Sequence, residues 1–179
     1  MSLLYSEIRD SLKTGDLVSW DKARVNSIFG FILKLYQKIL RPKSVHVGIV
    51  ANIGGRIFVV EARPPCVRLY PLSLLENFYL VRTNVKEENT NLDFLFKEIG
   101  IPYKAWDVIK GVIFHADNDT KAIYCSELAK LYYVEIKYLD KDKYEDSGSS
   151  PDSILNAICE VSGNKPVYVE IDRSNLNAV

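Results

Sequence analysis

Cys125 is the residue of this chain whose setting most favours nucleophilic chemistry. It lies in the stretch Ile123-Tyr124-Cys125-Ser126-Glu127-Leu128-Ala129, where a loop passes directly into a predicted helix. In the first turn of a helix, free backbone N–H groups and the positive end of the helix dipole stabilise a thiolate. However, cysteine is also a common small residue of protein cores. To interpret Cys125 as a nucleophile, the chain must also supply a nearby base and a group that orients the base.

Two histidines are available as that base, His46 and His115. His115 lies in a polar loop with no strand partner, and we expect it at the surface or at the rim of a pocket. His46 lies in a run of residues typical of a β-strand, Ser44-Val45-His46-Val47-Gly48-Ile49-Val50-Ala51. The base is therefore predicted to be His46.

A hairpin is predicted to bring a carboxylate to His46. The loop Asn52-Ile53-Gly54-Gly55 separates the histidine strand from a return strand that contains Glu61. With Ala51 opposite Arg56, Glu61 lies directly opposite His46, with about 5 Å between Cβ atoms. At that distance the carboxylate can hold one ring nitrogen and stabilise the imidazolium. A slip of one residue would instead place the two side chains on opposite faces.

The remaining pattern predicts one α+β domain over residues 1–179, with a central antiparallel sheet packed against helices. Further strands are predicted at 17–20, 67–72, 78–82 and 167–171, and helices at 6–13, 28–40, 92–99, 125–134 and 154–161, the last begun by Ser150-Pro151. The helix at 28–40 is apolar on nearly every side in its first half. It fits a core helix, or alternatively the wall of a lipid-accepting groove or a membrane-facing segment.

Composition narrows the class of protein. Lys plus Arg and Asp plus Glu are balanced at 23 each, so no overall field favours nucleic acid as a partner. Three widely spaced cysteines make neither a disulfide framework nor a zinc motif. Asp117 and Asp119 lack the spacing of a calcium loop, and we predict no metal and no cofactor. The N-terminus lacks the apolar core of a signal peptide, and no apolar run is long enough to span a membrane. A cytoplasmic location is therefore expected.

Several motifs together resemble a known family. Thr14-Gly15-Asp16-Leu17-Val18 and the run 44–50 are similar to the core of NlpC-type cysteine peptidases, in which the cysteine helix precedes those strands. Here Tyr124-Cys125-Ser126-Glu127-Leu128 follows them. That order is similar to the circularly permuted, papain-like branch, which is related to the lecithin:retinol acyltransferases. Further matches are Val59-Val60-Glu61-Ala62, 67–72, Gly100-Ile101-Pro102-Tyr103 and Ser150-Pro151-Asp152.

The resemblance implies a permuted papain-like fold and a thiol hydrolase, an amidase or peptidase, with Cys125 as nucleophile, His46 as general base and acid, and Glu61 as the third polar residue. The backbone N–H of Cys125 would be one oxyanion donor. Expected substrates are small molecules, cell-wall peptides, or lipids and N-acyl compounds, with peripheral membrane contact in the last case. A lipid acyltransferase and a non-catalytic ligand-binding module on the same fold remain alternatives.

Overall fold

A seven-stranded sheet forms the centre of the protein. The structure, a computed structural model, describes residues 2–22, 42–104, 123–148 and 150–172. The strands lie in the order β1-β7-β6-β2-β3-β4-β5, and neighbours are antiparallel except for the parallel pair β1 and β7. Their bounds are β1 Leu3–Leu4, β2 Leu17–Trp20, β3 His46–Ile53, β4 Arg56–Arg63, β5 Cys66–Pro71, β6 Phe78–Val81 and β7 Val167–Glu170.

Four α-helices accompany the sheet in the described residues. They are α1 Tyr5–Ile8, α2 Leu92–Glu98, α3 Cys125–Glu135 and α4 Pro151–Ser162, and short 3₁₀ turns occur at Arg9–Ser11, Leu72–Leu74, Glu87–Asn89 and Glu145–Gly148. The start of α4 confirms the predicted capping signal, because the Ser150 hydroxyl accepts the N–H of Ser153 at 3.1 Å and proline occupies the first helical position.

The sheet separates two apolar clusters. One face packs against α3 and α4, where Val47, Ile49 and Val60 belong to one apolar cluster with Leu128 and other buried side chains. The other face carries Val18, Val50, Val59 and Phe78, packed against α1 and the turn at Leu72–Leu74. Alternation along β3 and β4 therefore supplies both layers, as expected for strands that are buried on both faces.

The mixed α+β class and the strands predicted beyond residue 16 are confirmed. The central strands are antiparallel as expected, and the parallel pair β1–β7 lies at one edge of the sheet. The strand Leu3–Leu4 was not predicted, because two residues are too few to show a period. The first predicted helix is shorter than expected and continues as a 3₁₀ turn. The predicted helix 28–40 lies outside the described residues. In the ranges that are described, no helix is long and apolar enough to cross a membrane.

Candidate functional site

The β3–β4 hairpin brings His46 and Glu61 together in a register that differs from the predicted one. Ile53 pairs with Arg56, so the turn has two residues rather than four. Gly54 and Gly55 have φ angles of +59° and +79°, which a two-residue hairpin turn requires at both central positions. The predicted pairing of Ala51 with Arg56, and with it the direct opposition of His46 and Glu61, is therefore wrong.

The error is two residues, which leaves both side chains on the same face of the sheet. Ile49 pairs with Val60, so Glu61 lies beside Gly48 and diagonally from His46. The Nε2 atom of His46 is nevertheless 2.6 Å from Oε2 of Glu61. Gly48 allows this approach, because a Cβ atom built there would lie 3.4 Å from Cβ of Glu61 and 2.5 Å from Cγ2 of Val59. The predicted His–Glu contact exists, through a diagonal pair.

Cys125 is the first residue of α3, as predicted, and its sulfur meets the imidazole of His46. The thiol and the ring lie within hydrogen-bonding reach of each other, and the backbone N–H groups of Val47 and Ser126 also face the sulfur. Since Nε2 of His46 faces Glu61, the other ring nitrogen, Nδ1, is the one left for the thiol. The three side chains thus form one continuous series, with residue exposures of 5% for Cys125, 9% for His46 and 0% for Glu61.

Arg68 is a fourth member of this series that the sequence reasoning missed. It pairs directly with Glu61 across β4 and β5. Its Nε and Nη2 atoms donate to Oε1 of Glu61 at 2.8 and 2.5 Å, so each carboxylate oxygen of Glu61 has its own partner. The sequence carries little signal for it, because the register that sets Arg68 opposite Glu61 starts from the pairing of Arg63 with Cys66 across two prolines, which ordinarily interrupt a ladder.

The electrostatics of the site favour a thiolate–imidazolium pair. Burial by itself opposes the charged form of His46, but Cys125 and Glu61 outweigh it and raise the histidine pKa to about 9. Burial likewise opposes the charge on Cys125, yet the positive His46 and the hydrogen bonds to the sulfur lower the thiol pKa. Burial would raise the pKa of Glu61, whereas His46, Arg63 and Arg68 lower it to about 2. The arrangement can therefore hold alternating charges near neutral pH.

Segments far apart in sequence hold the loops that lead into Cys125 and His46. Before α3, Ile123 forms a parallel bridge with Tyr103, and its N–H donates to the Pro102 carbonyl at 3.0 Å. Before β3, the N–H of Ser44 donates to Oδ1 of Asp152, at the start of α4, at 2.6 Å. Thus two of the sequence motifs that carried the family resemblance, around Tyr103 and Asp152, fix the loops that enter α3 and β3.

Tyr103 and Trp20 border the reactive groups. Trp20 lies beside His46, with 5.3 Å between ring centroids. Burial and the nearby charge of Cys125 raise the pKa of Tyr103, so its hydroxyl remains protonated and able to donate. Ser126 is a different case, because its hydroxyl donates to the Gly148 carbonyl at 2.7 Å. The Ser126 side chain therefore holds α3 against the turn at Glu145–Gly148.

The other sequence candidates do not join the site. Asp16 accepts the N–H groups of Lys13 and Thr83 and pairs with Arg82 at 2.8 Å, so it stabilises the turn before β2. Cys66 and Cys159 are half-buried free thiols. The predictions for His115, Asp117 and Asp119 fall outside the described residues. Over the described ranges, no group of three or more His, Cys, Asp or Glu side chains is gathered as a metal site.

Comparisons with known proteins bear on the fold. No protein-family model matches the sequence, and no curated protein does. The chain is similar in structure to the metalloprotein YiiX from Escherichia coli O157:H7, with a TM-score of 0.54 and 16% sequence identity, over 87% of this chain and 96% of that chain. The likeness supports a shared mixed α+β fold, and the chemistry has to be argued from the side chains described above.

Proposed function

We propose that this protein is a thiol hydrolase of the permuted papain-like type, which cleaves an amide or ester through an acyl-enzyme on Cys125. The observation that carries the proposal is the continuous series of contacts from the Cys125 sulfur through His46 to Glu61. Nucleophilic catalysis by a thiol needs this combination of a helix-start cysteine, a base within hydrogen-bond reach and an orienting group. The order of motifs along the chain adds the family resemblance.

The chemistry follows from the charges. The Cys125 thiolate attacks the carbonyl carbon of the substrate, and the backbone N–H of Cys125 stabilises the developing oxyanion. The His46 imidazolium gives its proton to the leaving nitrogen or oxygen, and a thioester remains on Cys125. His46, now neutral, takes a proton from water, which attacks the thioester, releases the acid and restores the thiolate. Glu61 keeps the ring oriented and stabilises its charged form throughout.

YiiX is described as a metalloprotein, and the described residues of this chain do not gather a donor set that fits a metal ion. The proposed reaction uses the side chains of Cys125, His46 and Glu61 and includes no metal-dependent step.

The same acyl-enzyme would serve a transferase if an amine or an alcohol, rather than water, accepted the acyl group.

Alkylation of the three cysteines tests the nucleophile, because accessibility and ionisation favour different residues. Cys66 and Cys159 are more exposed than Cys125, which is 5% exposed. Burial raises the pKa of Cys159. We expect iodoacetamide at pH 6 to modify Cys125 first, measured by peptide mass spectrometry. Faster labelling of Cys66 or Cys159, with Cys125 spared, would show that Cys125 is an ordinary core thiol and would end the proposal.

A panel of acyl donors tests turnover and substrate class. Fatty-acyl 4-nitrophenyl esters, N-acyl amides and muropeptides are each incubated with the wild type and with Cys125→Ala. Thioester formation on Cys125 and product release from one donor class, both absent in Cys125→Ala, would support hydrolysis and name the class. Release that is equal in the two proteins contradicts the mechanism, and ligand binding by the wild type without any acyl-enzyme or product release favours the binding module.

A further inference from the structure

Arg68 contacts Glu61 in a geometry that restricts the carboxylate more than charge alone would. Its Nε and Nη2 both donate to the single oxygen Oε1, at 2.8 and 2.5 Å. The Arg68 guanidinium also lies 4.6 Å above the centre of the Tyr70 ring, which supports it from the same strand. The other carboxylate oxygen, Oε2, is left for Nε2 of His46 at 2.6 Å. Rotation of the carboxylate would break these contacts together.

Burial makes Glu61 dependent on this partner. Its side chain is 0% exposed, so water cannot replace a lost hydrogen bond, whereas the Arg68 side chain is 32% exposed and reaches the surface. An isolated buried carboxylate takes up a proton rather than remain charged. A protonated Glu61 would be a poor partner for an imidazolium at His46, and a reoriented one would leave Nε2 unpaired.

We propose that Arg68 is a positioning residue for the Cys125 reaction, acting through Glu61 to keep the His46 ring oriented and charged. The inference rests on the proposed function and deepens it, because three successive contacts, through Glu61 and His46, separate Arg68 from the Cys125 sulfur, and in the proposed mechanism Arg68 does not touch the substrate. It also explains why the edge strand β5 forms part of the catalytic apparatus: β5 supplies the outermost charge of the series.

The groups that face this series limit what a substitution at Arg68 can do. Glu61 is faced by His46 from β3, by Arg68 from β5 and by the charge of Arg63 on its own strand. His46 is faced by Glu61 and by Cys125 from α3, and Cys125 is faced in turn by Tyr103. Arg63 preserves part of the positive charge near Glu61 when Arg68 is replaced, so the expected shift is moderate.

The protein contains a matched control pair. Arg82 donates to Asp16 at 2.8 Å, and the side-chain exposures of that pair, 30% and 3%, are close to the 32% and 0% of Arg68 and Glu61. Replacement of Arg82 therefore removes a comparable arginine–carboxylate contact outside the Cys125 series. Arg68→Met and Arg82→Met lose the same chemistry at different places.

The test is the pH dependence of Cys125 alkylation by iodoacetamide in wild type, Arg68→Met, Arg68→Lys and Arg82→Met. The acid limb, where Cys125 becomes a thiolate, should move up by about one pH unit in Arg68→Met. At pH values below the wild-type limb, the rate should fall about tenfold. A smaller shift in the same direction is expected in Arg68→Lys, because lysine keeps the positive charge but lacks the planar guanidinium that donates two hydrogen bonds to Oε1. Arg82→Met should keep the wild-type limb. On a donor substrate, kcat should fall with little change in KM.

Outcomes for the two proposals are separable. If wild-type Cys125 itself titrates as an ordinary thiol near pH 8.5, the proposed function fails. If the wild type has a low acid limb but Arg68→Met shares it, the positioning role is overturned, and the function stands. Should Arg68→Met not fold, Arg68→Lys decides the matter by a shifted or an unshifted limb. In a Glu61→Gln background, Arg68→Met should add no further shift, since Arg68 acts through that carboxylate.

Discussion

Replacement of Glu61 by glutamine should leave His46 unable to take the proton of Cys125, because Arg68 fixes the orientation of the new amide. Arginine has only donors, so the Nε and Nη2 atoms that contact Oε1 of Glu61 will hold the amide oxygen of the new side chain. The amide NH₂ is then directed at Nε2 of His46, 2.6 Å away in the wild type. Nε2 must become an acceptor, and the ring proton moves to Nδ1, the nitrogen that faces the thiol. A ring in that tautomer cannot accept the thiol proton.

The size of the effect follows from charge and tautomer. A unit charge at ~4 Å contributes about 4 kcal/mol at an effective dielectric constant of about 20. Arg68 is present in both proteins, so its charge does not alter this difference, and about 4 kcal/mol corresponds to roughly 3 pKa units for His46. The His46 pKa, about 9 in the wild type, should therefore fall towards about 6. Loss of the correct tautomer costs up to about 10⁴-fold in serine–histidine–aspartate enzymes. We expect Cys125 alkylation at pH 6 to slow at least ~30-fold.

The assay is the alkylation rate of Cys125 by intact mass, together with ¹⁵N NMR of the imidazole. The sequence has two histidines, so the His46 signals are assigned by comparison with a variant at His115. The wild type should show both ring nitrogens protonated up to about pH 8, and Glu61→Gln should show, above about pH 7, a neutral ring protonated at Nδ1. Asp16→Asn is the matched control, because it also replaces a buried carboxylate held by an arginine. An alkylation rate in Glu61→Gln within twofold of the wild type would refute the reasoning.

Three further changes test how the fold supports the site. Gly48→Ala should lower the free energy of unfolding by about 1–3 kcal/mol in urea titrations, because its Cβ would lie 2.5 Å from Val59 Cγ2; an unchanged midpoint would show that β4 yields freely. Burial alone would raise the pKa of Glu61, but His46 and the two arginines outweigh it and lower that pKa from 4.5 to about 2. The ionised Glu61 should therefore stabilise the folded wild type by about 3 kcal/mol above pH 4.5, and this stability should be lost as the pH falls towards 2. Glu61→Gln should lack that slope, and a parallel pH profile would contradict it. Asp152→Ala should release the N–H of Ser44, bonded at 2.6 Å, and cost about 1–2 kcal/mol with slower Cys125 alkylation; wild-type alkylation would show that this contact does not position β3.

The site was predictable to the extent that it depends on local pattern and on strand parity. Cys125 starts a helix because a loop and an apolar period meet there, and His46 and Glu61 share a face because their hairpin register differs from the predicted one by an even number. The turn itself was misassigned, since Gly54-Gly55 favours a two-residue turn as strongly as it marks the end of a longer loop. A diagonal pair replaced a direct one without changing the face.

The contacts that were missed depend on tertiary structure or on an unusual turn. Arg68 reaches Glu61 only if the chain reverses at Pro64-Pro65, where proline ordinarily argues against a continued ladder. Tyr103 approaches the start of α3 through an isolated bridge to Ile123, which no period in either segment indicates. The contact between Cys125 and His46 joins residues from two elements whose packing the sequence does not specify. For the same reason the pKa directions required the structure.

Ionisation of Cys125 tests the central claim most directly. In Cys66→Ala/Cys159→Ala, Cys125 is the one remaining cysteine of the three in the sequence, so thiolate absorbance near 240 nm between pH 4 and 10 reports on it alone. Tyrosine ionisation at the alkaline end is subtracted with the additional Cys125→Ala variant. A thiolate paired with the His46 imidazolium should give a step well below pH 7 that moves upward in Glu61→Gln. A single step near pH 8.5 or above, unchanged by Glu61→Gln, would contradict the thiolate–imidazolium pair.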